Sequence, residues 1–126
     1  MQRLANATAR APEKAPFEQE GRAREDEALA LICYLVASLH GTKPARLQSK
    51  PWGDPALSLA RSFAIALARD VLFIRLDRLT EHFGCADNEE VAAHLNLMAL
   101  RAERDPDVAT SFQFARSAAA RILGLP

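Results

Sequence analysis

Charge of one sign is what this sequence lacks most plainly. Sixteen Lys+Arg face sixteen Asp+Glu, so no whole-chain field draws the protein to nucleic acid or to an anionic membrane, and any polyanion binding has to be local. Cysteine is scarce. Cys33 and Cys85 lie far apart and form no CxxC pair, which removes zinc knuckles and thioredoxin-like chemistry and leaves reduced, partly buried thiols as the expectation. Long apolar runs are missing too. The stretch from Ala28 to Leu39 falls short of the roughly 20 residues a bilayer requires, and it follows Glu25, Asp26 and Glu27, where a secretion signal would carry basic residues. The chain therefore reads as cytoplasmic, with association with the nucleoid left open. His40, His82 and His94 show no HExxH or related ligand spacing. There is also no Gly-rich phosphate loop and no nucleophile elbow, so no catalytic residue, metal site or cofactor is expected and the protein reads as non-enzymatic.

What is present suits one helical domain. A chain of 126 residues with 49% hydrophobic content can fill a single core. Residues 1–23 carry Pro12 and Pro16 and no sustained apolar period, which predicts a mobile tail ahead of a domain over 24–126. From Arg24 onward Leu29, Ile32, Cys33, Val36 and Leu39 recur at helical spacing, and Gly41 is the natural stop. A basic connection follows, with a short helical turn expected at Pro44–Gln48. Leu59, Phe63, Leu67 and Val71, flanked by Ala60, Ala64 and Ala68, predict a helix over about 55–75 that neighbours can approach closely. A short helix is expected over about 77–83, ended by Gly84. Asp87 with Glu90 has the spacing of a capping box for a helix running to about Glu103, and Asp105-Pro106-Asp107 opens a last helix reaching Leu123. No segment alternates like a half-buried strand, so the fold class is all-α.

The short helix, the turn Gly84-Cys85-Ala86 and the helix after Asp87 have the order of a helix-turn-helix unit. The run Ala60-Arg61-Ser62-Phe63-Ala64-Ile65-Ala66-Leu67-Ala68-Arg69-Asp70-Val71 resembles the ARQIAMYLAREL segment in the C-terminal domain of the bacterial replication initiator DnaA. Leu76, Leu79, Phe83 and Gly84 keep that family's register, Asp87 and Val91 fall on the Asp and Val of its signature GGRDHSTV, and Glu103-Arg104-Asp105-Pro106 is similar to the start of its final helix. Upstream, Val36-Ala37 through Leu47-Gln48-Ser49-Lys50 resembles its first helix and the start of its basic loop. The similarity covers roughly residues 29–120. It implies a Trp-repressor-like helix-turn-helix domain of five or six helices, with DNA contacts at Lys50, Ala86, Asp87, Asn88, Glu89 and Glu90 and further phosphate contacts at Lys43 and Arg46.

The residues at those positions depart from the family. Ala86 stands where it has a base-reading arginine, and Asn88, Glu89 and Glu90 replace its His and two Ser/Thr residues. Arginine is the commonest reader of guanine, whereas carboxylates are repelled by a phosphate-lined groove. Two family cations further along this helix become Asn96 and Leu97, and the loop continues as Pro51-Trp52-Gly53-Asp54. Trp52, Glu89, Glu90 and Leu97 therefore become candidates for a protein interface. The resulting expectation is a regulator of replication initiation without the ATPase module, whose partner is DnaA or a DnaA-regulating protein. The alternative is a DNA-binding protein of altered specificity that uses Asn88, Asn96 and the loop cations.

Overall fold

The computed structural model of the protein describes residues 16–49 and 53–125. In chain order these form α1 (Pro16–His40), a 3₁₀ turn η1 (Pro44–Gln48), α2 (Pro55–Leu72), α3 (Leu76–His82), α4 (Asn88–Arg104) and α5 (Pro106–Ile122), with no strand among the described residues. The all-α class follows directly. Residues 1–15 of the expected tail, together with Lys50 and Trp52, lie outside the described residues.

The start of α1 departs from the expected boundary. Pro16 begins the helix, where 24 was predicted. Residues 20–27 lack an apolar stripe because charge pairing holds them: Arg22 bonds Glu81 at 2.9 Å, and Glu25 and Asp26 both bind Arg78. Glu25 and Asp26 therefore face another helix and do not open their own. Farther along, Leu29, Ile32, Cys33, Val36 and Ala37 are buried as the period required.

α2 is the central helix. All residues from Ala60 to Ala68 are buried, and the alanines among them let α1, α4 and α5 pack closely on different sides. Asp54 caps its start by accepting from the Leu57 N–H at 3.2 Å, ahead of Pro55. Phe63 meets His40 and Phe112 edge-on, with ring centroids 5.0 and 5.2 Å away. α2 ends three residues before its predicted limit because Phe73 takes a left-handed conformation with φ 55°. The chain then turns, Ile74 is buried, and Arg69 closes the corner by donating to the Ile74 carbonyl at 2.7 Å. Leu79, Phe83, Val91 and Met98 bring α3 and α4 into the same core.

Candidate functional site

The corner between α3 and α4 is built by local chemistry. Residues 83–87 connect the two helices, and Gly84 sits at φ +64°, where an added Cβ would lie 2.9 Å from the Gln48 carbonyl oxygen. Glycine at this point allows both the left-handed turn and the close approach of η1. Gln48 also donates to the His82 carbonyl at 3.2 Å, so the exposed cations Lys43 and Arg46 belong to a segment anchored beside the corner. Asp87 accepts from the Glu90 N–H at 2.9 Å, and the Glu90 Oε1 accepts from the Ala86 N–H at 2.9 Å. This is a capping box whose return bond reaches one residue upstream of the cap.

Four of the proposed contact residues, Ala86, Asp87, Asn88 and Glu89, are exposed together at the start of α4. Asn88 is committed in part, since its Oδ1 accepts from the Thr80 hydroxyl at 2.6 Å. Glu90 does not stand beside Glu89 on the open face. It turns inward, its Oε2 lying 3.6 Å from Arg61 and 3.7 Å from His94, because a three-residue step from the cap places its carboxylate over the corner. Further along, Ala93, Asn96 and Arg104 are exposed, with Leu97 at 43% and Leu100 at 47%. The face of α4 that carries Leu97 and Leu100 is thus open to solvent.

The residue that organises this region is Arg61, which is only 1% exposed. Its Nη2 donates to the Phe83 carbonyl at 2.5 Å and lies 3.7 Å from the Cys85 Sγ, while Nη1 reaches His94 Nε2 at 3.4 Å. A guanidinium can only donate, so His94 Nε2 is the acceptor. Its Nδ1–H then donates to Ser62 Oγ at 2.6 Å. Burial, reinforced by Arg61, holds the His94 pKa below its usual value, against an opposing pull from Glu90. Burial raises the Cys85 pKa. Cys85, Glu90 and His94 offer ligand atoms within 4.8 Å of one another, but the cation they surround is the Arg61 guanidinium. A metal ion there would have to displace it.

A second cysteine and histidine meet between α1 and α3. Cys33 Sγ lies 3.9 Å from His82 Nε2, which Gln48 also approaches at 3.2 Å. Burial pushes the Cys33 thiol up to about 12 and lowers the His82 pKa. Both groups are neutral at physiological pH, so this pair does not form the thiolate–imidazolium arrangement of a nucleophile. An open groove of about 560 Å³ runs between α2, α4 and α5, with Phe73, Leu95, Met98 and Phe112 on its walls. Of the charged groups on its rim, Arg116 and Asp70 pair with each other at 2.9 Å and Arg69 donates to the Ile74 carbonyl.

No family model, curated protein or solved structure matches the chain. No helix among the described residues is long and apolar enough to cross a membrane.

The Arg61 cluster is what sequence reading missed. An arginine in a helix is ordinarily solvated, and Ser62 and His94 stand far apart in the chain. The available signal was α2 itself: Arg61 is flanked by Ala60, Phe63, Ala64 and Ile65, so no face of the helix offers it to water. The spacing of Glu90 and His94, four residues apart on one helix, was the complementary hint.

Proposed function

We propose that the protein is a stand-alone, non-enzymatic regulator of chromosomal replication initiation, built on a Trp-repressor-like helix-turn-helix domain of the DnaA type. In this reading it acts mainly through contacts with the initiator or one of its regulators. The observation that supports it best is the exposed first turn of α4. Ala86, Asp87, Asn88 and Glu89 present two carboxylates and no cation, where a helix entering the major groove needs donors for bases and positive charge for phosphates. Leu97 and Leu100 add apolar area on the same helix. Such area serves a protein surface better than a phosphate groove. Fluorescence anisotropy with a DnaA-box duplex and a scrambled duplex, at two salt concentrations, tests the reading. The expected preference for the box is less than about tenfold, and a preference of a hundredfold or more would overturn it.

One observation favours DNA binding of altered specificity. The η1 segment carrying Lys43 and Arg46 is anchored beside the corner through Gln48, and Asn96 is open on α4. The Thr80 hydroxyl takes one of the two lone pairs of the Asn88 Oδ1, so a bidentate contact to adenine would have to share that oxygen. Selection from a random duplex pool separates the two readings. Enrichment of one sequence would favour this one.

A further inference from the structure

The outer face of α4 carries a stripe whose order along the helix is Glu89, Ala93, Asn96, Leu97, Leu100 and Arg104, every member of it exposed. Its midpoint falls between Asn96 and Leu97. Glu89 and Arg104 stand equally far from that midpoint at opposite ends, Ala93 and Leu100 stand equally far nearer to it, and Asn96 and Leu97 flank it. At 100° per residue the members of each pair also lie symmetrically to either side of the stripe's centre line. Such a stripe is complementary to a copy of itself turned end for end. We propose that a second copy of this chain docks here, the two α4 helices running antiparallel about a two-fold axis that passes between Asn96 and Leu97.

In that register Glu89 of each copy meets Arg104 of the other, which places two opposite-charge pairs about 22 Å apart at the ends of the contact, taking 1.5 Å of rise per residue. Among the described residues neither side chain has an ion-pair partner within its own chain. The small Ala93 faces the large Leu100, so knobs meet space, and Leu97 covers the centre beside Asn96 at the wet margin. The two helix dipoles run in opposite directions, an arrangement that attracts weakly. On the flank where Glu89 lies, Glu103 of the second copy stands next to its Arg104, so the opposite-charge pair has to outweigh one like-charged neighbour. On the other flank Glu90 is already turned inward onto Arg61. An isologous contact of this kind closes on itself as a dimer. It rests on the exposed face of α4 alone and does not depend on the DnaA-type reading, although it would cover the face which that reading assigns to partners.

Sedimentation of the full chain between about 1 µM and 1 mM tests it, because a single helix pair lies at the small end of stable interfaces. The expected mass rises from 13.8 kDa toward twice that value. Leu100→Glu should weaken the dimer about a hundredfold, and Glu89→Arg or Arg104→Glu about tenfold each, through loss of core contact and charge repulsion respectively. The combined variant Glu89→Arg with Arg104→Glu should return to within about threefold of the parent. These sites are exposed, so circular dichroism should report unchanged helicity. If Leu100→Glu fails to fold, the charge-swap series decides alone. A parent protein that stays monomeric throughout, or single variants that weaken a dimer the double variant fails to restore, would overturn the proposal.

Discussion

Arg61 and Arg78 each gather several partners around one guanidinium, the first in the interior and the second at the edge of solvent. Around Arg61 only one group is a carboxylate, Glu90 at 3.6 Å, and the rest are a carbonyl, an imidazole and a thiol. Its buried Nε has no hydrogen-bond partner among the described residues, which adds a desolvation cost. Around Arg78 three carboxylates converge, Glu25 and Glu81 each at 2.7 Å with Asp26 beside them. Burial works against its charge, yet the hydrogen bonds it donates to Glu25, Glu81 and Asp26 more than offset that and hold its pKa above the usual value. The difference is one of role. Arg61 fixes the corner between α3 and α4 through directional bonds in the interior, whereas Arg78 holds the start of α1 by charge that water can partly replace.

Breaking the two hubs should therefore give unequal results. Arg61→Ala strands the Phe83 carbonyl, removes the guanidinium that Glu90 approaches at 3.6 Å and empties a buried site, so it should cost about 3–5 kcal/mol in urea unfolding. A loss below about 1 kcal/mol would mean that water enters the site. Gly84→Ala attacks the same corner from its backbone. A Cβ 2.9 Å from a carbonyl oxygen at φ +64° forces η1 and the turn apart, with an expected cost of about 2 kcal/mol. Arg78→Ala should cost only about 1 kcal/mol, since its partners are well exposed and surface pairs are screened. Its clearer signature should be fraying of α1 ahead of Leu29, read by amide hydrogen exchange.

The contrast also marks what could be read from residues alone. The positions of η1, the Asp87 cap, the Gly84 corner and the buried Phe63, Leu67, Leu79, Phe83 and Val91 were all legible, because each rests on a local rule or on periodicity. Val71 packs against the core from a half-buried position. The early start of α1 was not legible. Its first turns are held by Arg78 and Glu81, more than fifty residues away, and pairing over that distance leaves no local pattern. The approach of Glu90 to Arg61 was hidden in the same way: the capping-box spacing places its carboxylate over the corner, but the buried guanidinium it meets there comes from another helix and leaves no local pattern.

Acid titration should separate the hubs by window, with the smallest effect of the set. Burial, with Arg61 adding to it, lowers the His94 pKa from 6.5. Below about 6.5 the unfolded chain then takes up a proton that the folded chain resists. A state that binds more protons gains on acidification, so stability should fall as pH drops from the unfolded value toward the lowered folded one, and then level off. His82, lowered mainly by burial, contributes with the same sign. Glu81 acts later. Its hydrogen bond to Arg78, with Arg22 adding charge, lowers its pKa from 4.5, so the stability it contributes is present above that value and is lost as pH falls through the folded one. Urea midpoints measured across a pH series should show two sloping regions. His94→Gln, which can still accept from Arg61 and donate to Ser62, should flatten part of the upper region and leave the lower one intact, while Glu81→Gln should do the reverse. If His94→Gln leaves the upper slope unchanged, the imidazole is not kept neutral at the Arg61 hub, and the dry character assigned to that hub would have to be given up.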